Sequence, residues 1–154
     1  KNTLTNKQYS FHPSIKIPEE IFIPENYIDD LDIRMSIYKR ISLIENIEKT
    51  HELMIELIDR FGQLPPEVKN LFKLIKIKIL CWKNNIELIE FSKKGILFSF
   101  YNNKPSNPEK IIKLGFSQNN KIFIRPDQKI FYNFFGELNE DRFNLVKRII
   151  NIFN

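Results

Sequence analysis

L-M-I-E-L-I-D-R-F-G, residues Leu53–Gly62, decides how the rest of the chain reads. Leu53, Met54, Leu57, Ile58 and Phe61 recur at three- and four-residue steps, the period of an amphipathic helix. Glu56, Asp59 and Arg60 stand at i, i+3 and i+4 and share the opposite side. Gly62 follows the last apolar position, where a left-handed helix end needs no Cβ. The oily face is expected to enter a core, leaving an acid-acid-base cluster pointing outward on a rigid element. Such a cluster suits recognition of a partner better than catalysis. A merely solvated charged face is the competing reading, and physical grounds alone favour it.

Upstream, residues 1–24 read as a linker or extended lead-in, and residues 25–154 as a single α+β domain. Pro13, Pro18 and Pro24 are spaced among Ile and Phe. Ile15–Ile17 and Ile21–Ile23 are therefore predicted as short extended pieces, along a sheet edge or across the later helices. A first helix should start near Asp30, where Asp29, Asp30 and Asp32 favour its positive N-terminus. Ile33, Ile37, Ile41 and Ile44 form its stripe. A break is expected around Glu48–Thr50.

Downstream, Leu64-Pro65-Pro66-Glu67 is a helix-start signal, since a first-turn proline loses no hydrogen bond. The third helix should run to about Asn84, burying Val68, Leu71, Phe72, Ile75, Ile79 and Trp82. Lys69, Lys73, Lys76 and Lys83 form a basic strip on what remains. After Asn85 the period becomes alternating. Ile86–Phe91 and Ile96–Tyr101 are predicted strands joined through Ser92-Lys93-Lys94-Gly95. A short helix follows Asn107-Pro108-Glu109 and ends at Gly115. Lys121–Arg125 and Lys129–Phe135 form a second hairpin across Pro126-Asp127. A last helix, capped within Asn139-Glu140-Asp141, lines up Phe143, Val146, Ile150 and Phe153. The predicted class is α+β: an N-terminal group of three helices, then a β-β-α-β-β-α unit with a small, mainly antiparallel sheet.

The chain's 154 residues suffice for a real core, and its apolar and charged shares of 42% and 28% are those of a globular domain. It begins at Lys rather than Met and is expected to be a piece of something longer. A net charge of +5 permits nucleic-acid contact without demanding it. One cysteine, Cys81, rules out an internal disulfide framework and fits a reducing cytoplasm. No apolar run is long enough for a membrane helix, and no signal peptide is read. Neither G-x-x-x-x-G-K-[ST] nor G-x-G-x-x-G occurs, so no nucleotide cofactor is expected. His12 and His51 stand apart from each other and from Cys81, so no metal is expected either. Cys81 on an apolar helix reads as a small buried hydrophobe. A DNA-contacting accessory domain using Lys69, Lys73, Lys76 and Lys83 is the rival functional reading; interleaved exposed aromatics, which single-strand binding would add, are missing.

Three segments carry a resemblance when taken together: Ile23-Pro24-Glu25-Asn26-Tyr27-Ile28, then Arg34 with Tyr38-Lys39-Arg40-Ile41, then Glu56-Leu57-Ile58-Asp59-Arg60-Phe61-Gly62. In this order they resemble the C-terminal domain of the bacterial transcription-repair coupling factors, the Mfd family. The likeness is densest over residues 23–66 and looser after Asn85. It implies a non-catalytic, autoregulatory domain of an ATP-driven DNA translocase whose motors lie elsewhere. It implies parent partners in RNA polymerase, UvrA and DNA. It further implies docking on the parent's N-terminal UvrA-binding module, masking that module and restraining the motor until stalled polymerase is engaged. Glu56, Asp59 and Arg60 are the positions carried over to that contact, and Arg34 is expected to support a neighbouring turn or acid. The isolated chain is expected to be monomeric.

Overall fold

The computed structural model describes residues 9–117, 121–135 and 138–154. Its elements are β1 (Ser14–Lys16), α1 (Leu31–Ser42), α2 (Ile47–Phe61), α3 (Pro66–Lys83), β2 (Ile86–Phe91), β3 (Gly95–Phe100), α4 (Pro108–Phe116), β4 (Ile122–Ile124), β5 (Ile130–Asn133) and α5 (Arg142–Ile152). The class is α+β, with the expected three helices followed by a β-β-α-β-β-α run. The chain divides into two compact units, one of residues 1–16 and 81–137, the other of residues 17–80 and 138–154.

The first unit is built on a five-stranded sheet in the order β1-β2-β3-β5-β4. Both predicted hairpins form, and three of the four strand pairings are antiparallel. The fourth is parallel: β1 lies at the edge beside β2, from Ser14 opposite Leu88 to Lys16 opposite Glu90. Ile21–Ile23, the other expected extended piece, forms no strand. Gly95 opens β3 instead of closing the turn. A Cβ there would stand 2.0 Å from the Tyr132 carbonyl oxygen, so the approach of β5 requires glycine. Alternation puts Ile96, Phe98 and Phe100 on a buried face, as their spacing predicts. Aromatic contacts fix the lead-in segment: Tyr9 stacks on Trp82 at 4.3 Å, and Phe11 on Tyr101 at 4.7 Å. The Trp82 indole N–H donates to the Phe11 carbonyl at 3.0 Å. Residues 1–8 of the predicted linker lie outside the described residues.

The second unit holds α1, α2, most of α3 and α5. Asp30 caps α1 as expected, its carboxylate accepting from the Ile33 N–H at 3.0 Å. α2 starts earlier than predicted. Asn46 is its cap, accepting from the Lys49 N–H at 2.8 Å, so no break occurs at Glu48–Thr50. Thr50 explains the difference. It is fully buried on the inner face, and its hydroxyl donates to the Asn46 carbonyl at 3.0 Å, leaving no orphan polar group. Leu53 and Leu57 continue that face. Ile37, Val68, Phe72, Phe143, Val146 and Ile150 are also buried. Gly62 has φ +89° and ψ −166°. Its φ is positive, as expected after the helix, but its ψ is extended, a region essentially reserved for glycine.

Candidate functional site

The sequence motifs spread over residues 23–62 converge on one corner of the second unit. The Ile23 N–H donates to the Tyr38 hydroxyl oxygen at 2.6 Å. The Arg34 guanidinium donates to the carbonyls of Ile28 and Asp29, at 2.6 and 3.1 Å, and so holds the turn before α1 as expected. The Tyr27 hydroxyl lies 2.9 Å from the Gly62 carbonyl and 3.1 Å from that of Leu57, with its ring edge-on to Phe61. Burial pushes the Tyr27 hydroxyl's pKa up, which keeps the donor proton in place. These bonds tie the start of the unit to the end of α2, and they explain why Gly62 departs from a left-handed turn: its carbonyl faces Tyr27.

On the outer face of α2, Glu56 does not act alone. Arg40 crosses from α1 and grips it with two bonds, Nη1 to Oε2 at 2.5 Å and Nη2 to Oε1 at 3.0 Å. Arg60 adds a third, Nη1 to Oε2 at 3.2 Å. The hydrogen bonds from Arg40 hold the Glu56 carboxyl below its ordinary pKa and raise that of Arg40. A planar fork on a carboxylate is a geometry lysine cannot supply. The Asp59 side chain is exposed and makes no hydrogen bond or ion pair among the described residues. Arg60 is exposed as well, spending one nitrogen on Glu56 with its guanidinium carbon 4.8 Å from the Phe61 ring centre. Asp59 and the remaining Arg60 N–H groups are therefore what this face offers outward.

Two contributors escaped the sequence reading. Arg40 was visible as a motif position, but its partner sixteen residues on requires the α1–α2 crossing. Ile55, 60% exposed, stands one turn before Asp59. The signal was present: Ile55 is an apolar residue outside the 53-54-57-58-61 stripe.

The predicted basic strip splits. Lys69, Lys73 and Lys76 border a groove of about 530 Å³ between α2 and α3. Lys73 is paired with Asp141 at 3.5 Å and lies 5.6 Å from the Phe143 ring centre. Lys83 is exposed on the last turn of α3, in the other unit, and does not line the groove. Cys81 is buried, and burial pushes its thiol pKa up to about 12, the state of an inert core thiol. His12 and His51 are exposed. Among the described residues no three His, Cys, Asp or Glu side chains gather as a metal cluster, and no helix is long and apolar enough to cross a membrane.

Residues 17–111 match the family model of the TRCF domain. The chain is 38% identical over 122 residues to the transcription-repair-coupling factor of Rickettsia conorii, a match over 79% of this chain and 11% of that protein. It is 36% identical over 92 residues to that of Bacillus subtilis, covering 60% of this chain and 8% of that protein. The chain thus spans about a tenth of the length of the curated relatives it matches. A crystal structure of the C-terminal domain of transcription-repair coupling factor superposes with a TM-score of 0.73 at 23% identity, covering 93% of this chain and 89% of that one, so the fold is shared. The model match over residues 17–111 contains every residue of the Arg40–Glu56–Arg60 cluster, and the chain belongs to the TRCF domain family.

Proposed function

We propose that this chain is the non-catalytic regulatory domain of a DNA-translocating transcription-repair coupling factor, working in the cytoplasm beside RNA polymerase, UvrA and DNA. In this reading the outer face of α2 docks on the parent's N-terminal UvrA-binding module, hides it and restrains the motor. The supporting observation is the charge pattern of this face: Glu56 is gripped by Arg40 and Arg60, which holds the Arg60 guanidinium in place beside the exposed, unpaired carboxylate of Asp59. Charge pairs of this kind set register and partner choice more than raw affinity, which suits a contact that has to open. Autoregulation needs two states with different contacts, and engaged polymerase supplies the second by releasing the face.

Calorimetric titration of this chain against the separately expressed N-terminal module tests the reading. Asp59→Ala with Arg60→Ala should weaken binding by about tenfold or more, equivalent to about 1.4 kcal/mol. Thermal unfolding should change little, because Asp59 has no side-chain partner among the described residues and the Arg60–Glu56 pair is solvent-exposed, leaving Arg40 on Glu56. Equal affinities for the two proteins would take the α2 face out of the contact.

A further inference from the structure

The groove between α2 and α3 lies outside the face just described. Its floor is apolar: Met54 and Ile58 from α2, Leu64 from the connection, and Phe72 from α3. Its rim is basic, with Lys69, Lys73 and Lys76 at i, i+4 and i+7 along one edge of α3. Lys73 is occupied by Asp141. Lys69 and Lys76 have no ion pair among the described residues, and a rise of about 1.5 Å per residue separates them by about 10 Å along the helix. Ile58 is 43% exposed at the edge of the floor although it belongs to the apolar stripe of α2.

An occupant must therefore bring apolar side chains for the floor and negative charge for the rim, over about two helical turns. Nucleic acid brings the charge but has nothing to fill the trough. Phe72 is only 2% exposed and offers no ring face for a base. A helix with apolar residues at i, i+3 or i+4 and i+7, flanked by carboxylates, has the right length and both chemistries. The volume of about 530 Å³ lies within the range of sites that enclose side chains or small ligands. We infer that the α2–α3 groove is a second docking surface, which takes an acidic amphipathic helix of a partner protein. This inference does not depend on the docking role proposed for Asp59 and Arg60.

Fluorescence anisotropy with a labelled peptide of about 14 residues, four turns at about 3.6 residues each, tests it. The probe carries Leu at i, i+3 and i+7 and Glu on both flanks. Binding by this chain is expected at a Kd of about 1–100 μM at moderate salt. Lys69→Glu with Lys76→Glu should weaken binding by about tenfold or more, and should gain affinity for the same peptide with Lys in place of Glu. Ile58→Asn should weaken binding to a similar degree, while Asp59→Ala with Arg60→Ala should leave it unchanged. Circular dichroism of each variant checks that the fold is kept. A peptide with Ser in place of Leu that binds equally well would reduce the groove to a surface charge and overturn the proposal. Absence of binding at about 1 mM peptide would do the same, as would displacement of the peptide by a short DNA duplex at lower concentration.

Discussion

Glu56 stands between two guanidinium groups, so its protonation is linked to folding. Its carboxyl titrates lower in the folded chain than in the unfolded one, where the ordinary value is about 4.3. The stabilisation is therefore complete above that value and is lost as pH falls through the lower, folded value. The pair is partly exposed, so its worth is under about 1 kcal/mol. Urea midpoints of the unaltered chain and of Glu56→Gln should differ most near pH 7 and converge as the pH falls below the ordinary carboxyl value of about 4.3. A gap that held constant across this range would mean Glu56 contributes packing alone. Gly62 allows a second measurement of one effect in isolation. A Cβ added there meets nothing within 4 Å, so Gly62→Ala carries no clash, only the strain of φ +89°. Thermal unfolding should report a loss of about 1–2 kcal/mol.

At the scale of elements, much of the chain was legible because side-chain period and capping residues agree. The apolar stripe of α3 from Val68 to Ile79, the bounds of β2 and the caps at Asp30 and within 139–141 follow from sequence and stand in the structure, whereas Trp82, expected to end that stripe, is only half-buried. The start of α2 does not follow, because Thr50 occupies a core position in polar dress. Its burial becomes intelligible only once its hydroxyl is seen to donate to Asn46. Asn46→Ala should cost about 1 kcal/mol by denaturant unfolding, since the Lys49 N–H would lose its acceptor. An unchanged midpoint would show that water replaces the cap without penalty. Of the candidate site, the outward placement of Asp59 and Arg60 was legible from the helix period. The Arg40 grip was not, because it depends on how two helices cross. The parallel pairing of β1 with β2 was hidden for the same reason: a three-residue strand has no period to read, and its partner is 74 residues away.

The whole molecule is interleaved. The unit that carries α2 is completed by residues 138–154, on the far side of the sheet unit in sequence. α5 buries Phe143, Leu145, Val146, Ile149 and Ile150, and its first turns reach back through Arg142 to Glu19 and, at the cap, through Asp141 to Lys73. At about 1.5–3 kcal/mol for each large buried side chain, this helix contributes an amount comparable to the whole stability of about 5–15 kcal/mol of an ordinary domain. A chain ending at residue 137 should lose far more helical circular dichroism than the 11 residues of α5 account for. A loss limited to those residues would show that α1, α2 and α3 hold together unaided.

That interleaving also sets a clock during protein synthesis. Phe61, the end of α2, leaves the ribosome 81 positions ahead of Arg142, the start of α5. At about 5–20 residues per second, the helix that presents Asp59 and Arg60 waits roughly 4–16 s for the segment that completes its core. The surface proposed for docking is thus finished among the last parts of this chain to be made, and a ribosome that stops before α5 releases a product carrying its sequence but not its shape.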